Sequence, residues 1–180
     1  MTRLLEYQAK QILRRFEIPT PDGQVVCTPC EADDVAAAIG YPAMVKAQIR
    51  SGKRGKSGGI RPVTDEAELK AAVADLMGAT VRGLSVDALL IEQSVDVVQE
   101  MYLGVTADPS SRAPVLILCE DGGVDIEETA RVNPDAIRKL PVDVLRGVYA
   151  HDALNLVRAT DSLTSRQKLG VAYILSLIHI

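Results

Sequence analysis

The sequence predicts an α+β protein built as two lobes. Two observations carry this: strand-like and helix-like stretches alternate along the chain, and antiparallel hairpins intrude at residues 42–63 and 100–119. Hairpins of that kind do not belong in a doubly wound parallel sheet. The chain has 180 residues, 47% of them hydrophobic, which is enough for one good-sized domain or two small lobes with packed cores.

Residues 4–16 carry Leu5, Ala9, Ile12 and Phe16 on one helical stripe and predict an amphipathic helix. Two prolines and a glycine in Ile18-Pro19-Thr20-Pro21-Asp22-Gly23 end it. A strand over 24–27 leads into a helix over 29–39, capped by Thr28, with Pro29 in its first position and Glu31 completing a capping box; Gly40 closes it. From Ala43 the pattern has period two. Ala43, Val45, Ala47 and Ile49 fall on one face, and Met44, Lys46, Gln48 and Arg50 on the other, as in a half-buried strand. A second strand returns after Gly59.

Thr64-Asp65-Glu66 opens the next helix with acidic residues where the helix dipole favours them. Its Leu69, Val73 and Leu76 face inward, and Gly78 stops it. Residues 88–93 read as a buried strand. Residues 100–108 and 113–119 form a hairpin about a turn at Asp108-Pro109-Ser110-Ser111-Arg112. A helix over 126–131, a strand over 137–142 and two further helices follow, the last opened by Thr164 and Gln167 as a capping box. The final residues, 173–180, are apolar all round and carry no cap, so they read as a broken-off end prone to aggregate.

Composition narrows the partners. Net charge is −4 and aromatic residues are scarce, with one Phe, five Tyr and no Trp, which argues against nucleic-acid binding and base stacking. No stretch is long enough to span a bilayer and no signal peptide is visible, so the expected location is the cytoplasm, or a mitochondrial matrix, without a membrane partner.

Against that acidic background, five cations crowd between Lys46 and Lys56. The loop from Arg50 to Gly59 interleaves Gly52, Gly55, Gly58 and Gly59 with Arg50, Lys53, Arg54 and Lys56. A solvated turn needs far less. Glycine lets backbone N–H groups approach an anion closely while Lys and Arg supply charge, so the expected ligand is a phosphate. Gly55-Lys56-Ser57 imitates the end of a P-loop, but that pattern requires glycine at the position held by Arg50, and a strand rather than a helix follows. The loop is therefore the tip of an antiparallel hairpin that covers phosphates from above.

A purine would then need a hinge. Ile91-Glu92-Gln93-Ser94-Val95, an apolar strand ending on a carboxylate, offers one, and Glu100 at the start of another apolar strand is suited to ribose hydroxyls. Ordinary surface placement explains both glutamates equally well on spacing alone. Three cysteines do not make a disulfide framework, yet Cys27-Thr28-Pro29-Cys30 sits between a strand and a helix, the setting of a thioredoxin-type redox pair. The capping box accounts for the same segment without thiol chemistry.

Several collinear segments carry a family resemblance. They are Glu6-Tyr7-Gln8-Ala9-Lys10-Gln11, Val45-Lys46-Ala47-Gln48, Arg54-Gly55-Lys56-Ser57-Gly58-Gly59, Glu92, Glu100-Met101-Tyr102-Leu103-Gly104, Asp108 with Ser111-Arg112, and Gly122-Gly123-Val124-Asp125-Ile126-Glu127. Together they make the chain resemble the N-terminal, ATP-grasp part of the β subunit of succinate–CoA ligase. The resemblance implies an ATP-grasp fold, C-terminally incomplete here, with residues 23–96 as a small nucleotide-lid lobe and residues 1–22 plus 97–180 as a larger lobe. It implies reversible formation of an acyl-CoA from acid, CoA and ATP or GTP, with a phosphohistidine on a partner α subunit, as in the tricarboxylic acid cycle.

By the same resemblance Lys46 contacts the α/β phosphates, and Lys53, Arg54 and Gly55 line the phosphate loop. Glu92 and the backbone near Val95 meet the adenine, and Glu100 meets the ribose. Neither His151 nor His179 inherits the phosphohistidine role. The family's Mg²⁺ ligands are expected beyond Ile180, so this chain alone is expected to be inactive. Where the family loop usually reads His-Ala-Gly-Gly-Arg-Gly, this one reads Arg50-Ser51-Gly52-Lys53-Arg54-Gly55, which also fits a related malate–CoA ligase. The segment between Gly78 and Ala88 looks short for the family. A C-x-x-C redox protein is the alternative outside it.

Overall fold

The computed structural model describes residues 3–52, 54–109, 112–122 and 126–178. They fall into two compact units, one reaching to Asp96 and the other beginning at Val97.

In the first unit, α1 (Glu6–Arg15) precedes β1 (Gly23–Val26), α2 (Pro29–Ile39), β2 (Ala43–Ala47) and β3 (Ile60–Val63). Then come α3 (Glu66–Leu76), a small hairpin of β4 (Thr80–Val81) and β5 (Leu84–Ser85), and β6 (Leu89–Gln93). The main sheet has the order β1-β6-β2-β3 and every pairing is antiparallel. Its register sets Val45 opposite Ile91 and Lys46 opposite Leu90.

Period-two alternation decides which side each residue takes. Ala43, Val45, Ala47, Leu89 and Ile91 are fully buried and join Leu69, Val73 and Leu76 of α3 and Ala32 and Ala36 of α2 in one core. The inward stripe expected of α3 is therefore present. Asp65 caps that helix by accepting from the Glu68 N–H at 2.8 Å. The Glu31 carboxylate accepts from the N–H groups of Cys27 and Thr28, as the capping reading of that segment expects.

Helix α1 lies with the first unit, whereas the sequence reading groups residues 1–22 with the C-terminal lobe. The reason is polar. The Tyr7 N–H donates to Gln48 Oε1 at 3.1 Å, and Glu6 and Lys10 reach charged groups on β2 and β6. Its predicted apolar stripe is not its packing face: no residue of α1 is buried, and Ile12 and Phe16 are exposed.

The second unit begins with a three-stranded meander of β7 (Tyr102–Asp108), β8 (Ala113–Cys119) and β9 (Ile137–Pro141), antiparallel throughout. The hairpin expected over 100–119 is thus present in register. Between β8 and β9 lies α4 (Ile126–Val132), and α5 (Ala150–Arg158) and α6 (Ser165–Ile178) follow. Leu116 and Leu118 of β8 pack with Ala153, Val157, Ala172 and Leu175. Thr164 and Gln167 form the expected box, the Thr164 N–H donating to Gln167 Oε1 at 2.9 Å. The apolar end over 173–178 is not a loose tail: Leu175 is fully buried in this second core.

Candidate functional site

The face of the main sheet opposite α2 and α3 is charged. Lys46 stands on it because its neighbours Val45 and Ala47 are committed to the core. Glu92 stands on the same face of β6, diagonal to Lys46 across the strand pair, and is buried. A lone carboxylate there would be costly. Two lysines remove the cost: Lys46 Nζ lies 2.5 Å from Glu92 Oε1, and Lys10 of α1 pairs with Glu92 Oε2.

Glu6, also on α1, extends the chain of charges. Its Oε1 lies 3.1 Å from Lys10 Nζ and 3.5 Å from Lys46 Nζ, and its Oε2 pairs with the Arg54 guanidinium. Cations and anions therefore alternate around a closed ring of Lys10, Glu92, Lys46 and Glu6, with Arg54 joined to it through Glu6. Burial alone would raise the Glu92 carboxyl, but the bonds from Lys10 and Lys46 outweigh it and hold the group below its ordinary value. Lys10 and Arg54 are each lowered, first by burial, with Glu92 pulling the other way. Arg54 keeps one buried donor, Nε, without a hydrogen-bond partner among the described residues. An orphaned guanidinium donor beside a glycine loop is a place for a ligand oxygen.

The loop itself is closed by backbone bonds. The Ala47 N–H donates to the Gly59 carbonyl at 2.8 Å, and the Gly59 N–H to the Arg54 carbonyl at 2.9 Å. Between them Gly55–Ser57 makes a single 3-10 turn ended by Gly58, whose φ of 74° favours glycine. A Cβ on Gly59 would stand 3.2 Å from the Arg54 carbonyl oxygen, a tight fit. At Gly52 and Gly55 the fold makes no such demand: a Cβ would meet nothing within 4 Å at Gly52 and only an ordinary contact at Gly55. Their lack of a side chain leaves open space beside Arg54 rather than solving a turn.

Of the residues singled out by sequence, Lys46, Arg54, Gly55 and Glu92 gather on this face and its adjoining loop. Lys53 lies outside the described residues. Val95 follows β6 and is exposed. The Gln93 and Ser94 N–H groups are bonded to the Asp22 and Pro42 carbonyls. The Glu92 carboxylate is engaged by lysines, so its side chain has a structural task beyond any contact with a base.

Glu100 belongs to the second unit, where it is exposed before β7 and its carbonyl accepts from the Gly122 N–H at 3.0 Å. A Cβ on Gly122 would fall 2.2 Å from the Glu100 carbonyl carbon, so the backbone approach there requires glycine. Sequence reasoning did not assign roles to Glu6 and Lys10. The signal was available: two opposite charges four apart at the start of a helix whose polar side meets the sheet. Cys27 and Cys30 are exposed and free, flanking the α2 cap. Among the described residues no group of three or more His, Cys, Asp or Glu could hold a metal ion. Among them, too, no helix is long and apolar enough to cross a membrane.

The first unit thus combines a small antiparallel sheet, a basic, glycine-rich hairpin and the Lys46–Glu92 ion pair, and a second α+β unit follows in the chain, the architecture of a grasp-type domain. Residues 3–180 match the ATP-grasp domain family, and the chain belongs to it. Over 177 residues it is 41% identical to the succinate–CoA ligase (ADP-forming) subunit beta of Halorubrum lacusprofundi, an alignment covering 98% of this chain and 46% of that protein. It is 38% identical over 155 residues to the GDP-forming subunit beta of Thermus thermophilus, covering 86% of this chain and 41% of the relative. The chain thus spans less than half the length of these relatives.

Among solved structures, Ca. Korarchaeum cryptofilum ACD1 in complex with coenzyme A superposes with a TM-score of 0.74 at 16% identity, covering 98% of this chain and 79% of that one. ATP citrate lyase from Methanothrix soehngenii, in complex with citrate and coenzyme A, gives 0.72 at 21% identity, covering 97% and 42%. At those identities the likeness speaks for the fold.

Proposed function

We propose that this chain is the nucleotide-binding part of the β subunit of an acid–CoA ligase of the succinate–CoA ligase type. The whole enzyme would join succinate and CoA at the expense of ATP or GTP, releasing ADP or GDP and phosphate, reversibly, with a partner α subunit carrying the phosphoryl group on histidine. The observation that carries the reading is the placement of Lys46 and Arg54 on one charged sheet face, beside two glycines the fold does not need.

In this reading Lys46 and Arg54 take the phosphates, with Lys53 and the backbone at Gly55 completing the loop. Glu92 holds Lys46 in position by its buried carboxylate, the backbone by Val95 meets the purine edge, and Glu100 accepts from the ribose hydroxyls. A bound nucleotide would normally bring Mg²⁺, whose charge neutralises the phosphates. The cytoplasm, or a mitochondrial matrix, suits a soluble ligase of this kind.

Calorimetric titration of the 180-residue chain with ATP, GTP and ADP tests the proposal. Micromolar to millimolar binding to the wild type is expected, lost in Lys46→Ala and weakened in Glu100→Ala. Absence of nucleotide binding by a folded sample would sink it.

A further inference from the structure

We infer that Glu6 is an internal stand-in for a phosphate group, which an incoming ligand must displace from Lys46 and Arg54. The inference rests on the phosphate-site reading above and adds to it a residue that sets which ligands are accepted. Glu6 does with its two oxygens what a phosphate does: Oε1 faces Lys46 and Lys10, and Oε2 engages Arg54, so one anion bridges the strand lysine and the loop arginine. Glu92 cannot serve in this way, because it is buried within the sheet and fixed by two lysines.

Glu6 sits on a helix with no buried residue, held to the sheet by polar contacts that water can replace. Removing its carboxylate from the cations therefore sacrifices little apolar packing. The charge count is informative. Among the described residues of the ion-pair cluster three cations face two carboxylates, leaving one positive charge; with Glu6 withdrawn these carry two, which matches a doubly charged phosphate group. A ligand that brings little negative charge gains nothing from displacing Glu6. A diphosphate or triphosphate gains two cations and the Arg54 Nε donor, unpartnered among the described residues, as well. Glu6 thus acts as a competitor built into the chain, biasing the site against uncharged nucleosides and towards polyphosphates.

The test compares wild type, Glu6→Gln and Glu6→Asp by calorimetry with ADP, inorganic pyrophosphate and adenosine at low and high salt. Glu6→Gln keeps the size of the side chain and the Tyr7–Gln48 and Lys10–Glu92 contacts. Expected is about fivefold tighter binding of ADP and pyrophosphate in Glu6→Gln, shrinking as salt screens the charges, with adenosine unchanged and Glu6→Asp intermediate. A second reading needs no variant: in the wild type, ADP should speed amide exchange over residues 7–15 as α1 loses the ion pairs made by Glu6. Equal or weaker ADP binding in Glu6→Gln, or tightening that extends to adenosine, overturns the inference. Failure of ADP to bind wild type and variant alike overturns the phosphate-site reading instead.

Discussion

Lys46 of β2 lies diagonally across the sheet from Glu92 of β6, its Nζ 2.5 Å from the Glu92 Oε1, on the face turned away from the hydrophobic core. The pair gives Lys46 two tasks, because the ammonium both neutralises a buried carboxylate and supplies the charge proposed for phosphate.

Lys46→Met should therefore lose nucleotide and stability together. Binding of ADP is expected to weaken at least tenfold. Urea unfolding is expected to show a loss of about 2 kcal/mol, below the usual cost of stripping a buried charge of its partner because Lys10 remains on Glu92. Glu92→Gln, which removes the buried carboxylate and leaves Glu6 as the partner of Lys10 and Lys46, should cost less stability while freeing Lys46 from its fixed position.

The Glu92 carboxyl also makes a pH prediction. Its folded value lies below the ordinary 4.5, so its contribution to stability is fully present above that value and is lost as pH falls through the depressed one. Wild type should lose denaturation resistance from about pH 4.5 downward, and Glu92→Gln should show a shallower loss over the same range. Identical acid slopes for the two proteins would contradict the pairing seen here. Glu120, lowered by bonds from Ser162 and Arg138 despite burial, acts in the same direction in the second unit and is the control variant.

Gly122→Ala tests the support beneath Glu100. The added methyl would collide with backbone at Glu100 and Met101, which cannot rotate aside, so a cost of about 1–3 kcal/mol is expected. Amide exchange should show the loss over residues 100–122, with the sheet of the first unit retaining its protection.

Replacing both exposed cysteines by alanine should leave nucleotide binding unchanged and stability within about 0.5 kcal/mol, since Thr28 and Glu31 carry the helix cap. Loss of function in that variant, or its dependence on reductant, would revive a redox role for Cys27-Thr28-Pro29-Cys30.

Much of the architecture was legible because it is written in local periods. The alternation from Ala43 to Ala47 gave both the strand and the side on which Lys46 stands, and the apolar spacing of Leu69, Val73 and Leu76 gave the buried face of α3. The helix boundaries at α2 came from its capping residues. The placement of α1 was not legible in this way. Its stripe of Leu5, Ala9, Ile12 and Phe16 predicts burial, yet the helix is positioned by Glu6 and Lys10 meeting residues about 40 to 82 positions away, and no periodicity encodes a long-range ion pair.

The β4–β5 hairpin was missed for a different reason. Its strands are two residues each, too short for a period, and the remaining signal is the turn Arg82-Gly83, where both residues have positive φ as a type I′ turn requires. Arg82 is an unusual occupant of such a position; its Nε donates to Ser51 Oγ at 3.0 Å, which ties that turn to the glycine-rich loop.

The alternation along β2 also governs which lengths of chain this domain tolerates. A single residue inserted between Ala43 and Lys46 would turn the lysine towards Leu69 and Val73 and send valine out to the charged side. An insertion or deletion here exchanges the two faces of the strand at once, whereas a substitution alters one side chain, so related sequences should vary in length in the β4–β5 region and keep the spacing from Ala43 to Ala47 fixed.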